Sequence, residues 1–198
     1  KMGENMRIES ISPILNKVGQ FLSSPMIRNI IGNPHSTIDL EEAMNSGKII
    51  LLNLSQGKLG EDSSALLGAM FITKLQLAAM NRVNIPENER KDFYLFVDEF
   101  QNFATISFVK ILSEARKYRL NLTLANQYTF QLPEEISKAI FGNVGTLISF
   151  LIGADASRLL SREFGQIYKE EDLVGLGNYQ IVLKLAIDNL TSTPFHAT

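Results

Sequence analysis

The chain opens with apolar residues at helical spacing and then passes into short apolar runs separated by longer amphipathic stretches. Ser12-Pro13 offers a cap and a first-turn proline ahead of Ile14, Leu15, Val18, Phe21 and Leu22, and Ser24-Pro25 repeats the signal ahead of Met26, Ile27, Ile30 and Ile31, with Gly32 as the stop. Asn33-Pro34 predicts a turn, and Asp39 caps a short helix ending near Gly47. The run Ile49-Ile50-Leu51-Leu52-Asn53-Leu54 is apolar at strand length, as a parallel strand buried on both faces requires. Phe93–Val97, Leu120–Leu124, Thr146–Ile152 and Gln180–Ile187 repeat the habit, which predicts roughly five strands.

Between the first two runs lies a long helix from about Asp62 to Arg82. Its Leu66, Leu67, Met70, Phe71, Leu75, Leu77, Ala78 and Met80 leave hardly any polar face, so it is expected to be buried on most sides. A second helix, from about Ser107 to Tyr118, sets Phe108, Ile111, Leu112 and Ala115 against Lys110, Glu114 and Lys117, with Arg116 at the border. Asn84 to Asp92 reads as a surface loop, and Asp188-Asn189 as the turn of an antiparallel hairpin. Strand, helix, strand, helix is the pattern of an α/β fold, a sheet covered by helices.

Composition narrows the class. The 198 residues, 45% hydrophobic and 20% charged, suit one sizeable core and exclude a disordered or fibrous chain. Nineteen basic against 21 acidic side chains leave a net charge of −2, so any nucleic-acid contact must be local. With no cysteine and two distant histidines, His35 and His196, neither a disulfide framework nor a structural zinc site is expected, and a reducing cytoplasm suits the chain. No apolar run reaches the roughly 18 to 20 uncharged residues of a spanning helix. A start at Lys1 and an end at Thr198 without a polar tail lead us to expect a piece of a longer protein.

The sharpest chemical feature is Phe93-Tyr94-Leu95-Phe96-Val97-Asp98-Glu99, an apolar strand delivering two carboxylates at its C-terminal end. In an open parallel sheet that edge is where ligands bind. Neighbouring strand residues face opposite ways, so the two acids would divide the work: one serving magnesium, the other orienting water, the arrangement called Walker B. The next strand ends in Ala125-Asn126-Gln127, placing amides at the same edge, where Gln127 could sense a terminal phosphate or cap the following helix. Ser113 to Arg119 is a basic cluster at a helix C-terminus, which the helix dipole favours, and Arg116 on its border could point into an interface. Nowhere does the chain contain G-x-x-x-x-G-K-[ST], the phosphate-cradling loop, so by itself it should bind ATP poorly.

Taken together, Val97-Asp98-Glu99-Phe100 with Gln101-Asn102-Phe103, then Glu114-Ala115-Arg116-Lys117-Tyr118 and Leu122–Gln127, resemble the C-terminal half of the motor domain of TraG/TraD-type coupling proteins of type IV secretion, in the FtsK-HerA superfamily. The resemblance implies a RecA-like three-layer sandwich with a mostly parallel sheet and a C-terminal antiparallel hairpin, lacking the Walker A half. Residues 1–36 would be the helical segment joining the missing upstream half, and 37–198 the C-terminal part of the motor domain. It further implies ATP hydrolysis with Mg2+, a homo-hexameric ring, DNA as cargo, and channel and relaxase-type proteins as partners at the cytoplasmic face of the inner membrane. Asp98 would support Mg2+ through water, Glu99 polarise the attacking water, Gln127 read the terminal phosphate and Arg116 reach a neighbour's nucleotide, with Lys117 and Arg119 as equally basic neighbours. Loops 55–62, with Lys58, and the stretch after Gln127 are candidates for touching DNA. Two other readings stand beside this one: an ATPase of the same build driving protein export or pilus assembly, and a non-catalytic module whose 62–82 helix docks a partner.

Overall fold

The computed structural model describes residues 11–198 apart from positions 14, 16, 17, 20, 21, 129, 130 and 189. Ile14 and Phe21 of the expected first helix, and Asn189 of the hairpin turn, lie outside the described residues. Helix α1, Pro25–Ile31, starts as the Ser24-Pro25 signal predicts and stops at Gly32, whose N–H donates to Arg28 O. The Asn33-Pro34 turn is closed by His35 N–H donating to Asn33 Oδ1. Helix α2, Leu40–Ser46, is capped by Asp39, which accepts from Glu42 N–H at 2.9 Å, and ends on Gly47 in the left-handed region.

Residues 56–59 form a one-turn helix, α3, Gln56–Leu59, and Gly60 at φ 79 turns the chain into α4, Glu61–Asn81. Two acids in the first turn of α4 match the positive end of the helix dipole. Strand β1, Phe93–Val97, pairs in parallel with β2, Leu120–Leu124, in register from Phe93↔Leu120 to Val97↔Leu124. The connection is α5, Ile106–Glu114, tightening into a 3-10 turn at Ala115–Tyr118.

The main core lies where α4 and α5 meet this strand pair. It gathers Ile72, Leu75, Ala78 and Ala79 of α4, Phe108 and Ile111 of α5, Ala115, Leu120, and Phe100 and Phe103 from the turn after β1. Phe100 and Phe108 pack with ring centroids 4.6 Å apart. Phe103 lies so close to Gly68 of α4 that a Cβ there would meet its ring at 2.2 Å, which is why a glycine interrupts this helix. The expected sidedness of α5 is present. That of α4 differs: one face is buried, but Leu77, Met70 and Met80 are exposed, because no described element covers that side.

By length and composition α4, continued to Asn84, is the one helix among the described residues long and apolar enough to cross a membrane, although Lys74 interrupts its uncharged run. Here it supplies the centre of the core. Just beyond its end sits Arg82, fully buried. Its Nε donates to Asn45 Oδ1 at 3.0 Å and its Nη1 to the carbonyls of Lys91 and Tyr118, each at 2.9 Å. One guanidinium thus ties α2 to the segments that enter β1 and β2. Burial pushes its pKa below the ordinary arginine value, and nearby Arg90 pushes the same way.

The C-terminal part is built differently. After α6, Glu134–Asn143, strand β3, Leu147–Ser149, precedes α7, Ala154–Glu163, and α8, Glu170–Val174. It pairs antiparallel with β4, Ile181–Lys184. The expected hairpin is present as β5, Ala186–Ile187, against β6, Leu190–Thr191, with Asp188 at φ 49 in the turn. Strand β7, Phe195–Ala197, completes a sheet of order β3-β4-β7. Leu160, Phe164, Leu173, Leu176 and Val182 form a second core of their own.

The α/β class therefore holds, but the sheet is not mostly parallel. Among the described residues there is one parallel pair, and the other pairings are antiparallel, in three separate sheets. The run at 49–54 is not a strand: it is unpaired, with Ile49 89% and Leu51 92% exposed. It lines the same cleft as β1 instead of hydrogen-bonding to it.

Candidate functional site

Strand β1 exists because Phe93, Leu95 and Val97 turn one face to the core. The same alternation leaves Tyr94 and Phe96 outward, 62% and 71% exposed. At its C-terminal end the backbone reverses sharply. Glu99 adopts φ 50, the left-handed region that glutamate enters only at a cost. The surroundings impose it: Asp98 Oδ1 accepts Glu99 N–H at 2.9 Å, and Phe100 N–H donates to Ala125 O at the end of β2. Ala125 N–H in turn donates to Val97 O, and Phe100 drives its ring fully into the core. Turn and strand end are thus one locked unit, with Glu99 displayed at its apex.

Parallel pairing brings the ends of β1 and β2 side by side, and with them the residues that follow. Gln127 Nε2 donates to Glu99 Oε1 at 2.5 Å, across 28 positions of sequence. Gln101 Nε2 donates to Glu99 Oε2, also at 2.5 Å. Hydrogen bonds to an ionised acceptor are stronger than neutral ones, and here an amide reaches each of the two carboxylate oxygens. A cleft of about 1320 Å3 opens at this edge. Asn53, Ser55, Asp98, Glu99 and Gln127 line it, and Tyr94 and Phe96 continue it as an apolar wall.

Of the four residues singled out by sequence, Asp98, Glu99 and Gln127 are gathered at one site. Arg116 is not among them. It is exposed, in the 3-10 turn that leads into β2, at the opposite end of a five-residue strand. At about 3.3 Å per residue that is roughly 16 Å from the carboxylate edge. Lys117 and Arg119 share that end of the sheet, where Arg119 faces Asp92 at 3.6 Å. Sequence reasoning passed over Gln101 as a ligand of Glu99. Its signal was position: two residues past an acid at a strand end, where a tight turn brings i and i+2 together.

No group of three or more histidine, aspartate or glutamate side chains able to hold a metal occurs among the described residues. Asp98 does fit magnesium carried on a substrate phosphate, because such an ion keeps most of its water and asks one or two carboxylates of the protein. Asp98 is exposed, and the Glu99 amide occupies one of its acceptor sites, so the carboxylate retains capacity for a hydrated cation.

Residues 92–172, from the approach to β1 into α8, match the family model described as the TraM recognition site of TraD and TraG. This stretch is similar to the C-terminal region of TraG/TraD-type coupling proteins. The matched stretch contains the whole Asp98, Glu99, Gln101 and Gln127 constellation as well as Arg116. No curated protein matches it.

Proposed function

We propose that the chain is the C-terminal half of a RecA-like, ATP-hydrolysing motor that moves DNA in conjugation, supplying the acid, amide and metal-facing residues to a nucleotide held by a phosphate loop elsewhere in the protein. The observation that carries this reading is the Glu99 carboxylate, set at the end of a parallel strand by a strained turn and oriented by an amide from the neighbouring strand. Phosphoryl transfer asks a protein for positioning and charge stabilisation more than for covalent help. Glu99 accepts a hydrogen bond from the attacking water as its oxygen bonds to the γ-phosphorus. The bond to the ADP oxygen breaks, and the proton leaves through the carboxylate to solvent. Gln127, held on Glu99, is placed to register the γ-phosphate and report its loss along β2. Asp98 would hold the magnesium that accompanies the nucleotide, and that ion would neutralise phosphate charge.

Arg116, at the far end of β2, serves no nucleotide in its own subunit under this reading and acts across a boundary in a ring of six. An arginine supplied in this way is typically worth about 10³ to 10⁵ in rate, so assembly would switch the motor on. Partners of the assembled protein would be DNA and the channel and relaxase-type proteins at the cytoplasmic face of the inner membrane. The test is Glu99→Gln in the full-length protein, which should bind ATP normally and lose turnover; unchanged hydrolysis would sink the role. Stimulation of wild-type hydrolysis by DNA separates this motor from one that exports protein.

A second reading is favoured by the description of the matching family, a TraM recognition site. Under it the region docks TraM, and the two functions can share one chain. Titrating TraM into the protein by calorimetry should give saturable binding that Glu99→Gln leaves intact. Binding lost with that variant would place recognition at the carboxylate edge instead.

A further inference from the structure

Gln101 carries two opposed features. Its Nε2 donates to Glu99 Oε2 at 2.5 Å, a charge-assisted bond, while its Oε1 is buried and lacks a hydrogen-bond partner. Turning the amide over does not help, since a carbonyl oxygen would then confront the carboxylate and an NH2 group would be buried without an acceptor. The gain from a charge-assisted bond and the cost of a bare buried acceptor are of similar size, so this arrangement sits near balance. Gln101 also lines the cleft, so an alternative position that hydrates its Oε1 is within reach of a side-chain rotation.

We propose that Gln101 is a positioning residue that works as a reversible lock on Glu99. With the lock engaged, both carboxylate oxygens are held by amides, one on Gln127 and one on Gln101. When Gln101 turns out into the cleft, Oε2 no longer shares its charge with that amide and becomes a stronger acceptor for the reacting water, while Gln127 keeps the carboxylate aimed. An element this close to balance needs only a small differential interaction to change state, and closure of the cleft around a nucleotide would provide one. The inference rests on the hydrolytic reading above.

Gln101→Leu, which removes donor and orphaned acceptor together at similar volume, tests it in the full-length protein. The variant should hydrolyse ATP several-fold faster than wild type without DNA, with KM unchanged, and should be silenced by adding Glu99→Gln. If Glu99→Gln is inactive and Gln101→Leu turns over no faster than wild type, the lock is wrong and the hydrolytic reading stands. If Glu99→Gln retains full turnover, the hydrolytic reading falls and the lock with it. Side-chain amide signals of 15N-glutamine-labelled protein supply a readout independent of rate. Those of Gln101 and Gln127 should both move in Glu99→Ala, and a stationary Gln101 signal overturns the contact.

Discussion

Two side chains, Glu99 and Arg82, show what single residues contribute at opposite ends of the same strand pair. Asp98, Glu99 and Gln127 were legible in the sequence because their chemistry is local: an apolar strand that ends in acids must display them where it ends. Arg82 was not, since an arginine at a helix end reads as solvated, and its acceptors Asn45, Lys91 and Tyr118 come from three distant segments. The buried cation is held by two backbone carbonyls and the Asn45 amide oxygen, with Asp92 and Glu41 near enough to favour its charge, while Nη2 has no hydrogen-bond partner. Arg82→Met should therefore cost about 2–4 kcal/mol, by stranding two backbone carbonyls and the Asn45 side chain. Urea denaturation measures this, and a midpoint within error of wild type would show that water replaces the guanidinium at little cost.

For elements, periodicity served the helices better than the strands. α5 follows its apolar stripe because burial on one face is a property of the helix and its nearest partner. Whether 49–54 forms a strand depends on an edge supplied from elsewhere, and continuous apolarity marks only the capacity to pair. The same holds for Gln180–Ile187, which breaks at Leu185 into β4 and β5 so that one half joins β3 and β7 and the other turns back on β6. With 49–54 unpaired, β1 bonds on one edge alone. Phe93 N–H donates to Arg119 O and Val97 O accepts from Ala125, so Phe93, Leu95 and Val97 direct their backbone groups to β2, whereas Tyr94 and Phe96 direct theirs to the cleft. Hydrogen exchange should accordingly alternate along β1, slow at Leu95 and Val97 and fast at Tyr94 and Phe96. Equal protection at all four would mean that 49–54 closes onto β1 in solution.

The two cores give the whole molecule a division that no single element announces. α6 spans it, with Ile136 and Ile140 packed in the first cluster and Phe141 against the second. The match at 92–172 crosses the same line and stops inside α8, short of Leu173, Leu176 and Val182. Folding of the matched stretch thus draws on residues beyond it. The carboxylate site belongs wholly to the first core, through Phe100 and the β1–β2 pair. Leu173, fully buried, belongs wholly to the second. Leu173→Ala removes most of a buried side chain, which typically costs about 2–5 kcal/mol. If the cores are separate cooperative units, exchange should accelerate in α7, α8 and β4 while Leu95 and Val97 keep their protection and the Gln127 side-chain amide keeps its position on Glu99. Loss of protection in β1 by the same amount would mean that α6 transmits the whole cost. In that case the site edge and the antiparallel sheet would stand or fall together, and changes in the C-terminal sheet would be felt at Glu99.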